Sequence, residues 1–332
     1  MASNTIMPDK ASAVVTITGL DPEMLAHAIR NAQLRPCQLS ARAEPSRITR
    51  VVCPRVCLDL VALGPALLFE GAMPQDHYTF SYVLKCPVEG RSFNFSTSHT
   101  DGYMGLFPPG GMLDAYAPAG MCDALLSVPC GVLHAEVARR FPEIPEHVLR
   151  RGAGMRVGET EQVRLRQLIE GVVEAVFDPS MPLTHVAARR QLEVELLDTY
   201  LNALSSGCER LIPAPKSRVA RRYDHLRKAR EYVAEDPHRS LHVGDLALEL
   251  GLSERGVELL FRDFLGVSPS VYLRNERLHG VRRALASADR ESDLVKETAI
   301  AWGFWHLGRF AKEYRQLFGE SPSETLARSY HS

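Results

Sequence analysis

The last hundred residues of this 332-residue chain contain one segment twice. Leu246-Ala247, Gly251, Val257, Phe261, Gly266 and Ser268-Pro269 return 52 or 53 positions later as Thr298-Ala299, Gly303, Phe310, Tyr314, Gly319 and Ser321-Pro322. The ends correspond residue by residue: Phe264-Leu265-Gly266-Val267-Ser268-Pro269 against Leu317-Phe318-Gly319-Glu320-Ser321-Pro322. One residue is inserted in the second copy, between Gly303 and Phe310. A repeat of this kind requires one supersecondary unit to be built twice.

The residue types say which unit. Ala247 lets two helices cross closely, Gly251 ends the first helix with a residue that takes positive φ, and Ser253 caps the next. Val257, Leu260 and Phe261 supply that second helix with a buried stripe. Helix, glycine turn and helix make a helix-turn-helix, whose second helix lies in the DNA major groove. One such spacing also occurs in ordinary helical hairpins. Two in tandem predict units at about 243–265 and 293–318, with Ala299, Gly303 and a helix from about Trp305 to Phe318 repeating the roles. Between them, 268–286 reads as one helix, capped by Ser268 with Pro269 at its first position. A helix of that kind would fix the separation of the two units, and adjacent major-groove entries on one DNA face lie about 34 Å apart.

The length suggests about two domains, and 45% hydrophobic with 24% charged residues is the composition of folded protein. No apolar run approaches the ~18 residues of a membrane span, so no membrane partner is expected. The first residues lack a secretory pattern, and seven cysteines at irregular spacings read as reduced thiols in a cytoplasmic protein. Residues 215–332 carry 20 Lys and Arg against 17 Asp and Glu, which permits a nucleic-acid partner without requiring one.

Ahead of the repeat, the first dozen or so residues are small and polar, and residues 1–18 are expected to be disordered. Asp21-Pro22 reads as a cap and first position of a helix running to about Asn31. Residues 47–130 hold short apolar runs at 56–68, 78–86 and 103–107, separated by turn clusters at 88–91 and 108–111, as in an antiparallel sandwich or small barrel. Helical periods follow at 158–177 and 183–205, parted by Asp178-Pro179-Ser180-Met181-Pro182. The second carries a broad apolar face (Val186, Leu192, Val194, Leu196, Leu197, Leu201, Leu204) that suits either its own domain or a subunit contact. Residues 207–219 read as a linker between domains at 19–206 and 220–332. The expected fold class is α+β with two domains: an N-terminal antiparallel, cupin-like β-barrel with following helices, and a C-terminal all-α domain with two helix-turn-helix units.

Catalytic and metal arrangements find no support. A cupin metal site needs a His-x-His pair, and none occurs; His77, His99 and His134 stand apart. Cys53 and Cys57 have no second ligand pair for a structural zinc site, so buried thiols are the simpler reading, with a redox sensor as the alternative. Nucleophile-elbow, phosphate-loop and dinucleotide signatures are absent. No cofactor, metal or enzymatic activity is expected.

The run 300–322, Ile-Ala-Trp-Gly-Phe-Trp-His-Leu-Gly-Arg-Phe-Ala-Lys-Glu-Tyr-Arg-Gln-Leu-Phe-Gly-Glu-Ser-Pro, resembles the signature of the AraC/XylS family of bacterial transcription regulators. Residues 266–278, Gly-Val-Ser-Pro-Ser-Val-Tyr-Leu-Arg-Asn-Glu-Arg-Leu, are similar to that family's linker helix. The resemblance covers about 110 residues, from near Arg221 to the end. It implies a seven-helix DNA-binding domain and a regulator, in most members an activator, that binds double-stranded DNA beside promoters and engages RNA polymerase. The N-terminal part would be the effector-binding and dimerisation domain, making the protein a homodimer that answers to a small molecule. That domain could instead serve only for dimerisation or partner recruitment.

Carried over by position, the first recognition helix would present Arg255, Gly256, Glu258, Leu259 and Arg262. The family often has a polar residue followed by arginine where this chain has Glu258-Leu259. Arg255 suits guanine and Glu258 a cytosine amino group, while Leu259 either meets a thymine methyl or is buried. The second would present His306, Leu307, Gly308, Arg309, Ala311, Lys312 and Arg315. Arg309 is the expected base reader, and Lys312 and Arg315 the expected phosphate contacts. Trp302, Phe304, Phe310, Tyr314 and Phe318 read as core, and Trp305 as packing or a wedge near the DNA backbone. In the N-terminal barrel, alternate positions such as Tyr78, Phe80 and Tyr82 line either an effector cavity or the core.

Overall fold

The computed structural model describes residues 13–28, 32–41, 44–87, 92–94, 97–207, 218–287 and 294–329. In chain order its strands are β1 (Val14–Leu20), β2 (Gln33–Gln38), β3 (Ser46–Val52), β4 (Cys57–Ala62), β5 (Leu67–Ala72), β6 (His77–Lys85), β7 (Ser92–Asn94), β8 (Thr97–His99), β9 (Tyr103–Phe107), β10 (Met112–Ala117), β11 (Cys122–Pro129) and β12 (Ala153–Arg156). They form two antiparallel sheets, ordered β1-β3-β4-β11-β6-β9-β12 and β2-β5-β10-β7-β8. The helices of this part are α1 (Pro22–Ala28), α2 (Cys130–Arg140), α3 (Glu146–Arg151), α4 (Glu159–Phe177) and α5 (Val186–Gly207).

Period-two alternation decides what each sheet face meets. On β6, Tyr78, Phe80 and Tyr82 point away from the second sheet and pack with Leu165 and Ile169 of α4 and Leu196, Tyr200 and Leu201 of α5. Phe80 meets the Tyr200 ring edge-on at 5.6 Å. These three aromatics are therefore helix-facing core and do not line a cavity. Their neighbours Thr79 and Ser81 face the second sheet, where the two sheets flank a partly open cavity of about 100 Å³. Most of the apolar face of α5 is spent inside its own domain, where Leu192, Leu196, Leu197, Leu201 and Leu204 are buried, whereas Val186 and Val194 stay about half exposed.

The strand region is longer than 47–130. The expected disorder of residues 1–18 does not hold where the chain is described, because Val14–Leu20 is a strand paired with β3. Ile17 and Leu20 pack onto the interior between the sheets, and this supports an edge strand despite the polar residues between them. Residues 1–12 lie outside the described residues, as do 208–217 of the expected linker and 29–31 of the first helix. Asp21 caps that helix as expected, its Oδ1 accepting the Met24 N–H at 2.8 Å.

Seven helices make up the described C-terminal part: α6 (Arg218–Glu235), α7 (Val243–Leu250), α8 (Glu254–Leu265), α9 (Pro269–Ala286), α10 (Leu294–Ala301), α11 (Leu307–Phe318) and α12 (Pro322–Ser329). Helices α6 and α9 lie on the outer face of the five-stranded sheet. Cys37, Leu39, Leu68 and Tyr116 share one apolar cluster with Tyr223, Leu226, Ala229 and Tyr272. Polar contacts frame it: Arg230 reaches Asp114 and Glu70, and Arg282 donates to Asp21 at 2.8 Å. Asn275 Nδ2 donates to the Leu39 carbonyl at 3.1 Å, and the Gln38 N–H donates to His279 Nε2 at 2.7 Å. Burial lowers the His279 imidazole to about 4, so it is neutral and able to accept that bond.

Candidate nucleic-acid interface

In the first unit, Gly251 takes φ 62° and ψ 32° between α7 and α8, a conformation that costs glycine nothing. Ser253 Oγ then accepts the Gly256 N–H at 3.1 Å, starting α8. Val257, Leu260, Phe261, Phe264 and Leu265 are buried, so the opposite face of α8 is left to solvent. Arg255 stands exposed there with no ion-pair partner among the described residues. Leu259 is 49% exposed, and Arg262 is held by Glu258, Nε to Oε1, at 2.7 Å.

The second unit repeats this with a different start. Gly303 has φ 79° after α10, and α11 begins at Leu307 behind His306, whose side chain makes no cap bond. Phe310, Tyr314, Leu317 and Phe318 are buried. His306, Gly308, Arg309, Ala311, Lys312 and Arg315 are exposed, whereas Leu307 packs partly against the core. Arg309 Nε donates to Glu313 Oε1 at 2.9 Å, and Arg315 lies 3.9 Å from Glu324. Exposed pairs of this type are worth at most about 1 kcal/mol, so neither guanidinium costs much to redirect toward a base or phosphate. Trp305 is 74% exposed at the mouth of the turn, while Phe304 is buried and Trp302 half-buried.

Helix α9 joins the units. Ser268 Oγ accepts the Val271 N–H at 3.3 Å, with Pro269 at the first helical position. At 1.5 Å per residue its 18 residues span about 27 Å. Gly280 of α9 has no room for a side chain: a Cβ there would lie 2.0 Å from the Trp302 ring. That close approach clamps the second unit onto the connecting helix.

Residues 246–328 match the family model of a helix-turn-helix domain. This region is a helix-turn-helix domain of the AraC/XylS type. The "Probable thc operon regulatory protein" of Rhodococcus erythropolis is 32% identical over 159 residues, 48% of this chain and 47% of that protein. The "XylDLEGF operon transcriptional activator 2" of Pseudomonas putida is 37% identical over 97 residues, 29% of this chain and 62% of that protein. A solved structure, of a probable AraC family transcriptional regulator from Rhodopseudomonas palustris, is 32% identical and covers 32% of this chain and 97% of its own, with a TM-score of 0.29. The matches thus span about half of the first curated relative and less than two thirds of the second. What the AraC/XylS-type domain fixes is the scaffold. The side chains that α8 and α11 present are this chain's own.

The other chemistry-bearing residues are scattered. Among the described residues no group of three His, Cys, Asp or Glu side chains is placed to hold a metal ion, and no helix is long and apolar enough to cross a membrane. His134 bonds the Tyr78 hydroxyl at 3.0 Å, His77 pairs with Asp76 at 2.8 Å, and His99 faces the cavity between the sheets. Cys53 and Cys57 are buried thiols, and burial pushes Cys53 up to about 12, far from a reactive thiolate.

Two groups of residues escaped the reading of the sequence. The domain contact uses Asp114, Glu70, Gln38, Arg230, Asn275 and His279, whose pairings span 116 to 241 positions and leave no local pattern. The cavity uses Thr79, Ser81, His99 and Asp123. For these a signal existed, since Thr79 and Ser81 alternate with the aromatics of β6 and mark its other face as polar.

Proposed function

We propose that this chain is a sequence-specific transcription regulator, acting as an activator. Residues 220–332 bind double-stranded DNA through α8 and α11 and engage RNA polymerase, while 19–206 sense a small-molecule effector and join two chains in a homodimer in the cytoplasm. The observation that carries the reading is the pair of recognition helices in tandem, each with one face in the core and exposed arginines on the other: Arg255 and Arg262 on α8, Arg309 and Arg315 on α11. Base contacts are assigned to Arg255, Glu258, Leu259 and Arg309. Backbone contacts are assigned to Arg262, His306, Lys312 and Arg315, with Leu307 as an apolar contact beside them. Neither catalysis nor a cofactor has a role in this reading.

Strand β10 supports effector control. Leu113 and Ala115 line the cavity, while the alternating Asp114 accepts from Tyr223 and Arg230 of α6 at 3.1 and 2.6 Å. A ligand in the cavity therefore lies one strand away from the DNA-binding domain, and control follows if it binds one arrangement of the domains better than another. The homodimer is supported by an apolar surface on α4 and α5, where Val163, Val173, Phe177 and Val194 are exposed.

Footprinting the purified protein on the DNA flanking its own gene, near physiological salt and with random competitor, tests the reading. Protection of elements about one helical turn apart is expected. If no site is protected, and residues 215–332 also enrich nothing from a random DNA pool, DNA recognition is refuted.

A further inference from the structure

The cavity between the sheets has apolar walls, with Phe69, Leu113 and Leu125 among them, and one polar corner. Among the described residues, three polar atoms at that corner are buried with no hydrogen-bond partner: Thr79 Oγ1, His99 Nε2 and Asp123 Oδ1. Thr79 is 1% exposed and His99 6%, so bulk water does not serve them. The remaining carboxylate oxygen, Asp123 Oδ2, accepts the Ser81 hydroxyl at 2.8 Å. Unsatisfied buried polar groups are costly to a fold, and three around one cavity point to a polar group that binds there. Among the described residues lining the cavity there is no Lys or Arg.

We propose that this cavity binds a small, mostly apolar and non-anionic molecule whose head donates a hydrogen bond to Asp123, and that it rejects carboxylates. The assignment rests on the effector-sensing reading above and deepens it by naming the class of effector. An alcohol or primary amide fits the corner. Its O–H or N–H donates to Asp123 Oδ1, and its oxygen accepts from the Thr79 hydroxyl or from a proton on His99 Nε2. A carboxylate head would place a second negative charge against Asp123 with no cation to offset it. Size limits the body: an engineered apolar cavity of roughly 150 Å³ holds benzene, so about 100 Å³ admits no more than one ring or a short chain. Burial keeps the His99 imidazole neutral, lowering it to about 3, so it offers no positive charge to an acid.

Matched probes on the full chain at pH 7.5 test this: benzyl alcohol, benzamide and 1-hexanol against benzoate and hexanoate, with binding read by thermal shift and ligand-observed NMR. At least one neutral probe should bind at least about tenfold tighter than the carboxylate of the same skeleton. Ala115→Phe, which fills the cavity, should abolish that binding, and Asp123→Ala should weaken it by about tenfold. Carboxylates binding as well as the neutral probes would overturn the inference, as would no binding by any of the five. Neutral binding untouched by both substitutions would overturn it too. Operator binding is measured in parallel. Cavity binding that leaves DNA affinity unchanged supports the ligand class and removes effector control, whereas a carboxylate that binds and shifts DNA affinity removes the class and leaves effector control standing.

Discussion

Arg230 Nη1 donates to Asp114 Oδ1 at 2.6 Å, tying helix α6 of the C-terminal helical part to strand β10 of the sheet part across 116 residues of sequence. Arg230 is almost wholly buried and also meets Glu70, so the guanidinium sits between two carboxylates inside the domain contact. Removing one partner of a buried ion pair strands the other charge, which costs about 3–5 kcal/mol. Arg230→Ala should lose stability on that scale in urea unfolding. Arg230→Met combined with Asp114→Leu should recover most of it, because Glu70 keeps Arg35 at 3.0 Å. A loss below about 1 kcal/mol in the single variant would show that the pair does not hold the domains together.

The two recognition helices make separable predictions. Arg309→Ala should relax preference at a single base position, at a cost of about 1–3 kcal/mol on the specific site. Lys312→Ala should weaken all sequences alike and reduce the salt slope of binding by about one unit. Gel-shift titrations on operator and random DNA at several salt concentrations separate these outcomes. Equal losses on both DNAs for Arg309→Ala would move that residue to the backbone contacts.

What the sequence made legible was whatever rests on local chemistry. Gly251 and Gly303 at positive φ, and Ser253 and Ser268 as caps, follow from residue type and spacing within a few positions. So does the buried stripe of Val257, Leu260 and Phe261. The faces of the strands were not legible. Tyr78, Phe80 and Tyr82 read as core before cavity lining, as the structure has them, but alternation shows that two faces differ without showing which one meets helices. Edge strand β1 was hidden because Thr16, Thr18 and Gly19 interrupt its apolar residues, of which only Leu20 is fully buried. His279 gave no sign of its role, since a neutral histidine accepting the Gln38 N–H is defined by a partner 241 positions away.

Burial raises the Asp123 carboxyl from 3.8 to about 6, against the opposing pull of the Ser81 hydroxyl and nearby backbone N–H groups. The folded protein thus holds a proton there that the unfolded chain gives up near 3.8. Between about pH 4 and pH 6 the wild type should lose stability relative to Asp123→Asn, by on the order of 2 kcal/mol, and the difference should level off above about pH 7. His99 acts with the opposite sign, its folded value of about 3 making the protein more stable as pH rises toward 6.5. Subtracting the Asp123→Asn melting curve at each pH cancels the His99 contribution. A pH-independent difference between the two proteins would mean that Asp123 stays solvated in the folded state.

The spacing of the two helix-turn-helix units depends on Gly280. The Trp302 ring fills the space where its Cβ would be and also lies 4.2 Å, centroid to centroid, from His238, so this one indole joins the end of α10, helix α9 and the segment after α6. In an exposed helix Gly→Ala would gain about 1 kcal/mol, but a methyl 2.0 Å from the ring forces α9 and α10 apart, at a cost of about 1–3 kcal/mol. Gly280→Ala should therefore destabilise the protein, and it should reduce binding to a two-element site by about tenfold while leaving binding to either element alone unchanged. Trp302→Leu placed on top of Gly280→Ala vacates the ring's volume and should restore stability without fully restoring two-element binding, because the clamp that sets the separation is gone. If Gly280→Ala instead stabilises the protein, the helix-propensity gain has won, and the contact with Trp302 is looser than the clamp requires.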